Sequence, residues 1–116
     1  MLDFLSTYWP LLALLVWWGY KWWNGRRVRA LLPNLRAQGA VVVDVRSKAE
    51  FAAGSAPGTV NIPLPELGAR LQEMTPRVPI VVCCASGTRS AMAAALLRRH
   101  GLGPVYNAGA WHTLLV

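Results

Sequence analysis

The segment with the clearest chemical content is CASGTRS, which runs from Cys84 to Ser90. A run typical of a buried strand precedes it, and a run typical of a helix follows it. Gly87 permits a tight turn between the two, so backbone N–H groups and the positive end of the helix dipole converge there. Such surroundings, with an arginine nearby, lower the pKa of a cysteine thiol and make it more nucleophilic. We therefore predict that Cys84 is a nucleophile and that Arg89 and the loop amides activate it.

The same loop predicts an anion-binding site beside the sulfur. A turn of backbone N–H groups can hold a small sulfur-containing anion, such as thiosulfate, next to the thiolate that attacks it. The residues predicted to bind such a substrate are Ala85, Ser86, Gly87, Thr88 and Arg89. The alternative is that Cys84 is only a small buried apolar side chain, as many strand cysteines are. Cys83 points to the opposite face of the strand, and a structural role is predicted for it.

The rest of the chain predicts the elements that position this loop. Strand and helix patterns alternate from residue 28 onward, and Ser47 with Glu50 matches a capping box at a helix start. This alternation predicts a small α/β domain with a mainly parallel sheet flanked by helices. The predicted helices cover residues 28–38, 47–53, 65–74 and 90–100, and the predicted strands cover 40–45, 59–62, 80–83 and 105–107.

Several short motifs occur in a fixed order along the chain. They are Val42–Arg46, Glu50–Phe51, Gly54 with Pro57–Gly58, Asn61–Pro63 and Cys84–Ser90. With them, the chain from about Leu31 to Trp111 resembles a single-domain rhodanese, a sulfurtransferase module. The resemblance implies that Cys84 forms a persulfide and that the loop after it binds substrate. It also implies that Asp44 and Arg46 support the active site; a salt-bridge network at the strand end is the alternative.

Three departures from the family pattern concern stability and substrate. Ser55 stands where the family often has a histidine, and the chain ends soon after Trp111, so the last helix is expected to be short. Ala85 replaces a frequent arginine or glutamine, which leaves Arg89 as the one charge in the loop. The spacing from Cys84 to Arg89 is nevertheless that of the sulfurtransferases, because related phosphatases have one more residue there.

Residues 1–23 are rich in aromatic and apolar side chains and predict a transmembrane anchor that contacts the membrane through residues 4–23. Phe4 to Tyr20 is free of charge and as a helix would extend about 25 Å. A signal peptide and a buried helix are the alternatives. Residues 24–29 are predicted as a basic juxtamembrane linker and 30–116 as the rhodanese-like domain. Because the basic residues follow the apolar run, the domain is predicted in the cytoplasm, attached to the inner (plasma) membrane by a single pass.

Composition argues against several other classes of protein. The net charge is +7, but the basic residues cluster beside the apolar run and form no stripe typical of nucleic-acid binding. His100 and His112 have no partners at metal-ligand spacing, so neither a metal nor a cofactor is predicted.

The sequence therefore predicts a membrane-anchored sulfurtransferase. It would transfer sulfur from a thiosulfate-like donor, through a Cys84 persulfide, to a thiol acceptor or to cyanide. The alternative is a tethered persulfide carrier or sulfur-sensing module with little free turnover.

Overall fold

The computed structural model describes residues 2–115, apart from the side chain of Leu2. Its centre is a four-stranded parallel sheet. The strands are β1 (Val41–Asp44), β2 (Val60–Asn61), β3 (Ile80–Cys84) and β4 (Val105–Ala110). Across the sheet they lie in the order β2-β1-β3-β4. The helices are α1 (Leu2–Ala37), α2 (Lys48–Ala53), α3 (Leu64–Leu67) and α4 (Thr88–Arg99), with 3-10 turns at Gly68–Glu73 and Trp111–Leu114. The predicted α/β class with a small parallel sheet is confirmed.

Both faces of the sheet are covered, which explains the unbroken apolar runs in its central strands. Alternate residues of β1 and β3 point to opposite sides, as strand geometry requires. On one side Val43 and Val82 pack with Leu97 of α4. On the other side the carboxyl-terminal third of α1 packs against the sheet through the buried Val28, Leu32 and Leu35. The core thus extends from α4, through the sheet, to α1.

Two elements differ in length from the predicted ones. The helix predicted over residues 65–74 is α-helical only to Leu67 and continues as a 3-10 turn, in which Arg70 has non-helical backbone angles. Strand β4 extends beyond the predicted end at Asn107 to Ala110, because a register shift opposite Cys83 is accommodated at Gly109. Gly109 has a φ of 76°, a value that glycine adopts without strain.

The prediction of a transmembrane anchor is wrong. Among residues 2–115, no helix is both long enough and apolar enough to cross a membrane. Helix α1 is long, but Trp and Tyr side chains with polar N–H and O–H groups, together with Pro10 and Gly19, interrupt its aliphatic residues. The predicted inner-membrane location is therefore wrong, and the predicted membrane contact through residues 4–23 has no support. Residues 24–29, predicted as a linker, lie inside α1.

Leu32→Ala tests whether the end of α1 belongs to the core of the domain. Leu32 is 4% exposed, so the cavity left by its side chain should lower the free energy of unfolding by about 2–5 kcal/mol. Leu15→Ala is the matched control, because Leu15 lies in the same helix but is 68% exposed. Urea denaturation of both variants measures the difference. Equal unfolding free energies in the two variants would show that α1 does not contribute to the core.

Candidate active site

Cys84 is the last residue of β3 and lies at the carboxyl edge of the parallel sheet, and α4 begins four residues later, at Thr88. Its side chain is buried. The backbone N–H of Gly87 donates to Cys84 Sγ across 2.8 Å, and the Ser90 hydroxyl oxygen lies 3.4 Å from the same sulfur. The loop therefore folds back over the sulfur and directs hydrogen-bonding groups at it.

Gly87 makes this fold-back possible. Its φ is 109°, a conformation that L side chains rarely adopt. A Cβ at this position would also lie 3.3 Å from the Cα of Gly109 in β4. Residue 87 therefore combines a left-handed backbone with a close approach between two segments.

The surroundings of Cys84 favour its thiolate form. Burial opposes ionisation, but the hydrogen bonds from the Ser90 hydroxyl and from the backbone of Ser90, Gly87 and Ser86 together outweigh it. The net result is a pKa of Cys84 below its usual value. A lowered thiol pKa is the property that the sequence predicted, although neutral donors produce most of it here.

Ser90 and Asn107 form a polar network behind the sulfur that the sequence analysis did not identify. The Ser90 hydroxyl lies 2.7 Å from Asn107 Oδ1 and 3.0 Å from the carbonyl oxygen of Gly87. Asn107 Oδ1 also accepts the backbone N–H of Gly109 at 2.9 Å. Because the Ser90 hydroxyl has one proton, it can donate one hydrogen bond at a time. It can donate to Asn107 Oδ1 while Cys84 is a thiol, and to Cys84 Sγ once the thiol is ionised. Ser90 directly follows Arg89, so its position next to the loop could have identified it as a site residue.

Arg89 forms an ion pair with α2. Its guanidinium donates to both carboxylate oxygens of Glu50, at 2.7 Å and 3.0 Å. Chiefly because of this contact, and with help from Ser47, the pKa of Glu50 falls from 4.5 to about 2. The predicted capping box is confirmed, since Glu50 Oε1 also accepts the backbone N–H of Ser47. Glu50 thus fixes the helix start and engages the charge of the loop arginine.

Asp44 and Arg46 form a buried pair at the neighbouring strand end. The Arg46 guanidinium contacts both carboxylate oxygens of Asp44 at 2.7 to 3.0 Å and donates to the carbonyl oxygen of Gly54 at 2.7 Å. It also lies 4.7 Å from the ring centre of Trp111. Within the described residues, the side-chain hydrogen bonds of this pair connect β1 to the end of α2, and none of them is made to Cys84.

Cys83 has the opposite environment from its neighbour. It points into the cluster between the sheet and α1, where burial and the nearby Asp44 carboxylate raise its pKa to about 12. Both cysteines are free thiols. A thiol with this pKa remains protonated and unreactive at neutral pH.

Helix α1 also reaches the loop, which the sequence analysis did not predict. Lys21 Nζ donates to the carbonyl oxygen of Ser86 at 2.6 Å, and Asn24 Nδ2 donates to the carbonyl oxygen of Asn107 at 2.6 Å. No local motif marks either contact, because the partners are 65 and 83 residues apart. No cluster of metal-binding side chains occurs within residues 2–115.

The chain is similar to several known proteins. The family model described as Rhodanese-like domain matches residues 28–112. A thiosulfate sulfurtransferase GlpE from Pseudomonas fluorescens (strain Pf0-1) is 44% identical over 73 residues, which are 63% of this chain and 67% of that protein. A sulfurtransferase from Allochromatium vinosum is 36% identical over 67 residues, covering 58% of this chain and 63% of that protein.

Solved structures agree with the sequence matches. The human single domain sulfurtransferase TSTD1 superposes with a TM-score of 0.61 at 35% sequence identity, covering 76% of this chain and 88% of that one. The chain spans 36% to 63% of the length of three of the curated relatives that it matches.

The Arg89–Glu50 pair predicts an acid-sensitive contribution to stability. Because folding lowers the pKa of Glu50 from 4.5 to about 2, the pair stabilises the fold above pH 4.5, and this contribution is lost as the pH falls through about 2. In an NMR titration of the side-chain carboxyl carbon, Glu50 should titrate near pH 2. In Arg89→Gln it should titrate closer to 4.5. A wild-type midpoint near 4.5 would contradict the pairing in solution.

Ser90→Ala should raise the pKa of Cys84, because it removes a donor that stabilises the thiolate. The pH dependence of iodoacetamide alkylation measures this shift, in a Cys83→Ala background so that Cys84 is the single thiol. The alkylation profile should move to higher pH in Ser90→Ala. Cys83→Ala alone should match the wild type, since Cys83 does not ionise in this range. An unchanged profile in Ser90→Ala would remove Ser90 from the site.

Proposed function

We propose that this chain, which belongs to the rhodanese-like domain family, is a sulfurtransferase with Cys84 as its persulfide-forming nucleophile. One observation carries this proposal: a buried cysteine at the end of β3 that receives the N–H of Gly87 at 2.8 Å and has a lowered pKa. The sulfurtransferases among its relatives support the same chemistry.

The first half-reaction loads sulfur onto Cys84. The thiolate attacks the outer sulfur of a thiosulfate-like donor and forms an S–S bond. The sulfur–sulfur bond of the donor breaks, and sulfite leaves with the bonding electron pair. The loop donors that stabilise the thiolate, from Ser86, Gly87 and Ser90, are then available to the persulfide anion.

The second half-reaction unloads the persulfide. An acceptor thiolate attacks its outer sulfur, and the bond to Cys84 Sγ breaks. The electron pair returns to Sγ, which is again a thiolate held by the loop. The acceptor leaves as a persulfide, so neither an external oxidant nor a cofactor is required.

A carrier role is the second candidate, and the state of Arg89 favours it. Its charge is engaged by Glu50, and Ala85 contributes none, so the loop itself has little to attract an inorganic dianion. A carrier would load sulfur once and pass it to a partner, with little turnover on free thiosulfate.

Thiosulfate treatment followed by intact-protein mass spectrometry tests the shared step of both roles. The wild type should gain one sulfur atom that dithiothreitol removes, and Cys84→Ser should gain none. Cys83→Ser is the matched control and should gain sulfur like the wild type. A wild type that gains no sulfur from thiosulfate or from an organic persulfide would contradict the proposal. Steady-state sulfite release then separates the roles, being sustained for an enzyme and negligible for a carrier.

A further inference from the structure

Beside the loop that follows Cys84, α1 forms one wall of a groove. The reaction steps proposed above assign no role to this groove. Helix α4 lines the groove along most of its length, from Thr88 to Arg98, and β4 lines it from Val105 to Gly109. The groove has a volume of about 580 Å³, which is in the range of sites for organic molecules and much more than a small inorganic anion fills. Gly87 and Thr88 lie on its edge, so it borders the loop that holds Cys84.

The groove combines apolar and cationic groups. Trp17, Tyr20 and Met92 supply apolar surface. Lys21, Arg27 and Arg98 supply positive charge. None of the acidic side chains within residues 2–115 lines it. A ligand that matches this lining has a short apolar part and a negatively charged group such as a carboxylate.

Lys21 is placed to connect such a ligand to the loop. Its ammonium group donates one hydrogen bond to the carbonyl oxygen of Ser86 at 2.6 Å and lies 4.5 Å from the ring centre of Trp17. An ammonium has three N–H donors, so two remain for an anion. Arg89 is paired with Glu50 and Arg46 with Asp44, whereas Lys21 has no acidic partner among the described residues.

We infer that this groove is the acceptor site, which binds a small organic thiol with a carboxylate and directs its sulfur towards the Cys84 persulfide. The inference rests on the proposed sulfurtransferase function. Lys21 and Arg27 bind the carboxylate, and Trp17 and Met92 contact the apolar part. The acceptor thiolate then takes the outer sulfur, and the bonding pair returns to Cys84 Sγ, as in the second half-reaction.

Discharge of the preloaded persulfide to two matched thiols tests the inference. The probes are 3-mercaptopropionate, which has a carboxylate, and 2-mercaptoethanol, which has none. Lys21→Gln should lower the second-order rate constant for 3-mercaptopropionate about tenfold, the loss expected for one charge-assisted contact. It should lower the constant for 2-mercaptoethanol by a smaller factor, so that the preference for 3-mercaptopropionate falls. Lys21→Arg should retain most of the preference.

Arg27→Gln is a second variant that leaves the Ser86 contact intact, and it should reduce the same preference. Arg29→Gln is the matched control, because Arg29 lies on α1 outside the groove and contacts the carbonyl oxygen of Leu115. If Lys21→Gln slows both thiols equally and Arg27→Gln behaves like the wild type, the groove does not recognise the carboxylate and the inference is wrong.

Binding without turnover separates this inference from the proposed function. In Cys84→Ser, 3-(methylthio)propionate should shift the indole N–H signal of Trp17 in NMR spectra, and the shift should weaken in Arg27→Gln. If the wild type forms no persulfide but this binding occurs, the sulfurtransferase proposal fails and the anion site stands. If the persulfide forms and discharges but no binding is detected at millimolar ligand, the groove inference fails alone.

Discussion

The proposed site depends on one contact, the hydrogen bond from the Gly87 N–H to Cys84 Sγ. The contact needs a left-handed residue three positions after a strand end, and it needs β4 to approach closely enough to cover the loop. Glycine at position 87 meets the first need, and the bulge at Gly109, which presents no side chain, meets the second. Strand β3, helix α4 and strand β4 are therefore constrained together by the geometry of one sulfur.

The adjacent cysteines show that burial alone does not decide the acidity of a thiol. Both side chains are almost completely buried, yet the pKa of Cys83 rises to about 12 while that of Cys84 is lowered. Strand alternation turns Cys83 into an apolar cluster near the Asp44 carboxylate, and turns Cys84 towards N–H and O–H donors. Desolvation acts on both, and the donors determine which one becomes a thiolate.

Local patterns in the sequence predicted much of this fold, because they depend on neighbouring residues. The β-branched run before Asp44 and the capping box at Ser47 are of this kind. The pairing of Arg89 with Glu50 across 39 residues, and the contact of Lys21 with the loop across 65, depend on the tertiary fold. The error over α1 had another cause: absence of charge was taken as apolarity, although many of the residues in that segment carry polar N–H or O–H groups.

The distribution of cations has a chemical consequence for the proposed reaction. An uncompensated arginine next to Cys84 would lower the pKa of the thiol further. The fraction of thiolate would rise, but each thiolate would be intrinsically a weaker nucleophile. Here Arg89 is neutralised by Glu50, and the neutral donors of Ser90, Gly87 and Ser86 stabilise the sulfur instead. Such donors can serve the thiolate and the persulfide anion alike. Charge that attracts a substrate then has to come from outside the loop, and Lys21 on α1 places it at the loop's edge.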